Sequence, residues 1–91
     1  MEIIMNKHTA ICPNGQVVKR NSKNRTYSHV AVVHNIQNNT YKVLGWSSTL
    51  DLARTNVQSL KSKIENLIKW DCYTGVYGDK PECLILDAII A

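Results

Sequence analysis

Apolar side chains recur at spacings of three and four between residues 48 and 70. The recurring residues are Leu50, Ala53, Val57, Leu60, Ile64 and Leu67. This spacing predicts a helix of about six turns with one apolar face. Ser48-Thr49-Leu50-Asp51 has the form of a capping box, which marks a helix start. A helix lying across a sheet is favoured over a coiled-coil seam, because about three heptads is short for a coiled coil.

The sequence before this helix has the character of β-strands. Residues 8–12 and 16–20 flank Pro13-Asn14-Gly15, which predicts a three-residue hairpin turn with a bulge. Residues 26–35 and 40–46 predict two more strands, the first of them central because both of its faces carry apolar residues. Gly45 indicates a bulge or a close backbone approach. The apolar run at residues 82–91 predicts a strand that returns to the sheet.

These elements predict an α+β fold: an antiparallel β-sheet built from hairpins, with one long α-helix packed on one face. The 91 residues are expected to form a single domain. Residues 7–46 form the sheet, residues 48–70 the helix, and residues 71–91 a loop and the C-terminal strand. Residues 1–4 are a short edge strand or, if Met5 is the start, a ragged extension. Neither a membrane-spanning run nor a signal-peptide pattern occurs, which predicts a cytosolic protein.

Residues that commonly carry catalysis or bind metals are few and scattered. His29 and His34 are five residues apart on a predicted strand, so we expect them on opposite faces of the sheet. Cys12, Cys72 and Cys83 lack C-x-x-C spacing, which predicts reduced, buried thiols rather than a disulfide framework or a zinc site. We therefore predict that the protein is not an enzyme and uses no metal or cofactor.

Positive charge is concentrated in the first half of the chain. Residues 1–50 contain six Lys or Arg and one acid, whereas residues 51–91 contain five Lys or Arg and six acids. Four of the positive residues form what we call the basic cluster: Lys19, Arg20, Lys23 and Arg25. Such a cluster indicates a surface for nucleic acid or for an acidic protein patch. The alternative is a wet hairpin end followed by a mobile turn.

Polar and aromatic residues extend this predicted surface. Asn and Ser side chains donate to phosphate or sugar oxygens, and Tyr27 and Tyr41 offer rings for stacking. The predicted partner-binding residues are Asn14, Lys19, Arg20, Lys23, Arg25 and Tyr27. At the end of the helix, we expect Trp70, Tyr73 and Tyr77 to fill the edge of the core, with an interface anchor as the alternative.

Taken whole, the chain resembles phage-encoded anti-CRISPR proteins that inhibit the type I-F surveillance (Csy) complex. Its small size and the segment MNKHTAICPNGQVVKRNSKNRTYSHVAVV carry the resemblance. The resemblance implies a stoichiometric inhibitor, monomeric when free, that acts in the host bacterial cytoplasm. Its partner would be the assembly of Cas proteins (Cas5, Cas7 and Cas8 subunits) around a CRISPR RNA, and docking would block target DNA. Many DNA-mimicking inhibitors are acidic, so this basic chain is expected to contact guide phosphates and Cas surface instead.

Two other interpretations remain open from the sequence. A small phage or plasmid nucleic-acid-binding protein would act directly on DNA or RNA and would retain free nucleic acid in a gel shift. An assembly partner would dimerise through the apolar helical stripe, and sedimentation would then reveal a tight dimer.

Overall fold

The computed structural model describes residues 6–78 and 81–90, so the expectations for residues 1–4 lie outside the described residues. The fold is α+β, as predicted. Its elements in chain order are β1 (Asn6–Ile11), β2 (Val17–Ser22), β3 (His29–Asn35), β4 (Thr40–Ser47), α1 (Leu50–Lys69), β5 (Cys83–Asp87) and β6 (Ile89–Ile90). Within the described ranges, no helix has both the length and the apolar character needed to cross a membrane.

The strands form two antiparallel three-stranded sheets, where the sequence predicted one. The outer sheet has the order β2-β1-β6, and the central sheet has the order β4-β3-β5. The C-terminal apolar run contributes one strand to each sheet, because β5 pairs with β3 and β6 pairs with β1. The chain crosses between them at Ala88, whose N–H donates to the Ser28 carbonyl over 2.8 Å. This crossing depends on partners far apart in sequence, so no local pattern predicts it.

The central sheet lies between α1 on one face and the outer sheet on the other. Val30 and Val32 join the apolar cluster shared with the outer sheet, whereas Ala31 and Val33 alternate onto the face that α1 covers. All four side chains are fully buried. Burying one valine contributes about 1.5–3 kcal/mol before chain entropy is counted. Strand β3 is therefore the centre of the core, which confirms its predicted central position.

The hairpin between β1 and β2 turns where the sequence predicted. The Cys12 N–H donates to the Gln16 carbonyl over 2.8 Å, and the Gly15 N–H donates to the Cys12 carbonyl over 2.9 Å. Gly15 has φ of +88°, a conformation that costs glycine nothing. The Asn14 Oδ1 atom accepts from the Gln16 N–H over 3.0 Å and tightens the turn further.

Helix α1 begins at Leu50 and ends at Lys69, close to the predicted bounds of 48 and 70. The cap is one residue later than predicted: the Thr49 Oγ1 atom, not Ser48, accepts from the Leu52 N–H over 3.2 Å. The stripe packs on the central sheet with Ala53 and Ile64 buried, whereas Leu50, at its start, is 41% exposed. The apolar stripe of α1 therefore packs against the central sheet and not against a second helix.

Strand β4 contains a β-bulge opposite β3. Ala31 pairs with Gly45 and Val32 pairs with Val43, so Leu44 is the extra residue. A Cβ atom on Gly45 would lie only 2.6 Å from the Asn56 Nδ2 atom of α1. Gly45 therefore marks both features that the sequence left open, a bulge and a close approach.

Candidate functional site

The basic cluster occupies one end of the outer sheet and the connection that follows it. Lys19 and Arg20 lie on β2, and Lys23 and Arg25 lie on the segment that we call the basic loop, residues 23–28. All four side chains are exposed. Because consecutive strand residues point to opposite faces, Lys19 lies on the solvent face of the outer sheet and Arg20 on the other. The cluster therefore wraps around an edge strand.

Carboxylates do not neutralise this cluster among the residues that the structure describes. The contacts of this kind found there are Arg54 with Asp51, His29 with Asp87 and His34 with Glu82, and the two histidine contacts are ionic only when the imidazole is protonated. No described carboxylate oxygen lies within 4.0 Å of a basic-cluster nitrogen. As far as the described residues are concerned, the positive charges are therefore available to an external anion.

Hydrogen bonds hold the backbone of the basic loop at Arg25 and at Ser28. The Arg25 N–H donates to the Ser22 Oγ atom over 3.1 Å, and the Arg25 carbonyl accepts from the Asn6 side-chain amide over 3.2 Å. The Ser28 hydroxyl donates to the Ser48 carbonyl over 2.9 Å at the other end of the loop. The loop thus presents its cations from a defined backbone.

A buried imidazole supports the loop from below. His8 is 1% exposed, and its Nε2 atom accepts from the Tyr27 N–H over 2.9 Å. A backbone N–H can only donate, so Nε2 carries no proton and Nδ1 does. Nδ1 then donates to the Arg20 carbonyl over 3.1 Å. His8 therefore ties β2 and the basic loop together through one neutral ring.

Aromatic rings continue from the cluster toward the core. The Arg20 guanidinium lies 5.2 Å from the centre of the Tyr27 ring, within cation–π range. The Tyr27 ring centre is 5.1 Å from that of His8, and the His8 ring centre is 6.0 Å from that of Trp46. Tyr27 is therefore beside the basic cluster, as predicted.

Asn14 and Tyr41 do not lie with the other predicted residues. Asn14 occupies the hairpin turn, and the length of β2, roughly 17 Å, separates that turn from the basic loop. Its Nδ2 atom donates to the Asn39 carbonyl over 2.8 Å, so it joins two turns of the fold. Tyr41 is 8% exposed in the core cluster. Proximity in sequence was misleading because β2 carries the chain away from its turn.

Sequence reasoning missed Lys7 and Trp46. Lys7 pairs with Asn21 and Thr9 pairs with Lys19, so Lys7 and Lys19 are diagonal neighbours on the solvent face of the outer sheet. The alternation of side chains along β1 and β2 would place Lys7 beside Lys19, but only once the register of the two strands is known. Trp46 reaches the site because the bulge shifts its face; Gly45 indicated a bulge as one of two possibilities, but that signal did not show that Trp46 would change face.

A cleft of about 330 Å³ lies between the basic loop, the end of β4 and the start of α1. Its lining contains one cation, two aromatic rings, hydroxyl-bearing residues and one exposed aliphatic side chain: Arg25, Thr26, Tyr27, Trp46, Ser47, Ser48 and Leu52. This lining combines apolar surfaces with hydrogen-bonding groups and contains no carboxylate. A ligand with a flat apolar part and a negative part suits it.

The aromatic residues after α1 behave differently from one another. Tyr73 is half-buried, and its hydroxyl donates to the Gly78 carbonyl over 2.7 Å while accepting from the Tyr77 N–H over 3.0 Å. Trp70 is 73% exposed, so the expectation that it fills the core edge was wrong. Its position as the C-terminal cap of α1 projects it beyond the sheet.

The histidines and cysteines are dispersed in space. His29 pairs with Asp87, whereas His34 contacts Tyr41 and Asn39. The His29 Nδ1 atom is 3.3 Å from an Asp87 oxygen, but the angles do not make a hydrogen bond. No group of three His, Cys, Asp or Glu residues within ranges 6–78 and 81–90 can hold a metal ion.

The thiols differ in their environments. Burial raises the pKa of Cys12, and burial also raises the pKa of Cys83 although the nearby Lys61 opposes that shift. Cys72 is exposed on the loop after α1, contrary to the expectation that all three thiols are buried. A raised pKa disfavours the reactive thiolate of Cys12 and Cys83.

Comparison with known proteins identifies no relative: no family model, no curated protein and no solved structure matches the chain.

Proposed function

We propose that the protein is a non-catalytic inhibitor that docks on a type I-F surveillance complex and contacts the guide RNA with its basic cluster. The observation that carries the proposal is an exposed group of four cations that no described carboxylate neutralises. The choice of this complex rests on the resemblance of the sequence to anti-CRISPR proteins. The presence of RNA in that complex fits the sign of the charge.

The cations are well suited to a phosphate backbone. Arg20 and Arg25 have the planar fork that grips phosphate oxygens in pairs, whereas Lys19 and Lys23 act as point charges. Because hydrogen bonds already order the backbone of the basic loop, little loop-ordering entropy is lost on binding. The basic loop should therefore bind phosphate more tightly than a mobile turn with the same charges would.

Cas protein surface supplies the second part of the proposed interface. Ile11 and Val17 pair directly across the hairpin, and they are 60% and 47% exposed. They share the solvent face of the outer sheet with Lys19 and Lys7, as the strand register requires. Such a face, apolar at one end and cationic at the other, suits a protein subunit adjacent to RNA.

A second candidate function is direct binding of free nucleic acid by a small phage or plasmid protein. The position of Tyr27 beside Arg20 favours this candidate, because aromatic rings next to cations are typical of single-strand binding surfaces. A gel shift without Cas proteins distinguishes the two. Dimerisation through the helical stripe, in contrast, would compete with the packing of α1 on the central sheet.

Capture of the complex tests the proposal. We expect the tagged protein to retain the purified, guide-loaded type I-F complex at low salt and to prevent that complex from binding target DNA. Four single-strand phosphate contacts predict a slope of about −3 for the logarithm of the binding constant against that of salt concentration. A salt-independent complex, or no capture, contradicts the proposal.

Matched neutralisation locates the interface. Replacing the basic cluster with Gln (Lys19, Arg20, Lys23 and Arg25) should weaken capture about 100-fold or more and flatten the salt dependence. The control set replaces four exposed cations of α1 with Gln: Arg54, Lys61, Lys63 and Lys69. Both sets remove four positive charges. Equal losses in the two sets would mean that net charge, not the basic cluster, drives binding.

A further inference from the structure

We propose that the cleft beside the basic loop takes one unpaired nucleoside, so that the protein recognises single-stranded rather than duplex RNA. This inference rests on the proposed function and names the form of nucleic acid that the same surface accepts. It concerns the cleft lined by Arg25, Tyr27, Trp46 and Leu52, of which the sequence predicted the first two residues only.

The size of the cleft limits its occupant. Its volume of about 330 Å³ is near the lower end, about 300 Å³, of pockets that hold small molecules. Tyr27 and Trp46 provide aromatic surface, and Leu52, at 52% exposed on α1, provides aliphatic surface. A nucleobase is flat and apolar on its faces, and it gains free energy by stacking on aromatic rings whatever its sequence.

Polar groups in the cleft match the rest of a nucleotide. Thr26 and Ser48 are exposed and line the cleft, so their hydroxyls are available to a base edge or a ribose. Ser47 is different, since it is 3% exposed and accepts from the Asn56 amide over 3.1 Å. It therefore acts as a fixed wall.

Charge around the cleft favours a phosphate. Arg25 lines the cleft, and the Arg20 guanidinium lies over the Tyr27 ring that forms one wall. The nearest acid in sequence to the lining is Asp51, which does not line the cleft and has a carboxylate oxygen 3.9 Å from an Arg54 nitrogen. An anion beside Arg25 therefore meets attraction without a carboxylate in the cleft wall.

Duplex RNA cannot use this site without unpairing. In an A-form helix the bases are stacked inside, whereas single strands can turn a base outward into an aromatic pocket. Cations alone would bind both forms through phosphates. The cleft therefore predicts a preference between RNA forms that the basic cluster does not.

Intrinsic fluorescence tests the cleft directly. The chain has two tryptophans, so the variant Trp70→Phe leaves Trp46 as the reporter, and Trp70 is exposed enough to change safely. We expect a uridine octamer to quench Trp46 emission at low salt. A blunt-ended, fully paired RNA duplex at the same total phosphate concentration should quench it little. Equal quenching by both RNAs, or by neither, overturns the inference.

A matched pair of variants separates the cleft from the proposed function. Leu52→Glu places a negative charge in the cleft and should weaken octamer binding about tenfold relative to Ile68→Glu. Ile68→Glu adds the same charge to the same helix at a position, 46% exposed, that does not line the cleft. If both variants bind alike while the basic-cluster variant fails to capture the complex, the cleft inference is wrong and the proposed function stands. If capture of the complex fails in the unmodified protein, the proposed function is wrong.

Discussion

At the scale of single residues, one inserted residue decides where Trp46 points. A regular strand would place Tyr41 and Val43 on one face and Trp46 on the other, because their numbers differ in parity. The bulge at Leu44 shifts the alternation, so Trp46 pairs with Val30 and faces the outer sheet. The aromatic wall of the cleft therefore depends on an irregularity of β4.

Gly45 lies in this bulge, at a point where α1 leaves no room for a side chain. We expect Gly45→Ala to destabilise the fold by about 1–2 kcal/mol, because a Cβ atom would displace the Asn56 amide from the Ser47 hydroxyl. Urea unfolding measures the change.

Asn56→Ala provides the control for this prediction. Without the Asn56 amide, the added methyl group meets less obstruction, so Gly45→Ala should cost at least about 0.5 kcal/mol less in that background. Strictly additive effects would show that the contact with α1 is not what requires glycine.

At the scale of elements, the basic loop depends on the strands beneath it. His8 on β1 accepts from the loop at Tyr27 and donates to β2 at Arg20, so one side chain joins three segments. No charged group enters the core to do this. The loop therefore gains a fixed backbone while its cations remain in water.

Replacing His8 should release the loop. We expect His8→Ala to cost about 2–4 kcal/mol, since it leaves a cavity and an unpaired Tyr27 N–H. Hydrogen exchange should show the Tyr27 amide losing protection by about tenfold or more relative to amides of α1. His34→Ala is the control, because His34 is only half-buried and bonds the Asn39 side chain. Unchanged protection of Tyr27 in the His8 variant would contradict this assignment.

Elements with local causes were predictable from the sequence, and long-range pairings were not. The turn at Gly15 and the stripe of α1 follow from backbone conformation and from side-chain spacing within a few residues. The pairing of β6 with β1 joins Ile90 to His8, and no local pattern encodes a partner that far away. The basic cluster was identified because its residues are close together in sequence. Asn14 was wrongly grouped with it because β2 separates the two in space, and Trp46 was missed because it comes from a distant strand.

At the scale of the whole molecule, the outer sheet, the central sheet and α1 form three layers. One apolar core lies on each face of the central sheet. The core facing the outer sheet contains two groups that ionise at high pH, Cys12 and Tyr41. Burial raises the pKa of Cys12, and burial together with the nearby Glu82 and Cys12 raises the pKa of Tyr41. Both groups are therefore held neutral where the layers meet.

Alkaline conditions should weaken the folded state. A raised folded-state pKa means that the folded protein keeps a proton which the unfolded chain releases, so stability falls as pH rises. The loss should begin near the ordinary thiol value of 9.0 and continue past the ordinary tyrosine value of 10.0. Urea unfolding between about pH 8 and 11 measures the slope.

Two cysteine variants control this prediction. Cys12→Ala should reduce the slope of stability against pH, even if the cavity lowers stability throughout. Cys72→Ala should leave the slope unchanged, because Cys72 is exposed. Equal slopes in all three proteins would assign the pH dependence to other groups.

The crossing at Ala88 has a mechanical consequence. Ser28 ends the basic loop, and it accepts from Ala88 at the point where the chain passes from β5 to β6. A force applied to the basic loop is therefore transmitted through Ser28 to the junction of β5 and β6, and so to both sheets, rather than to β2 alone.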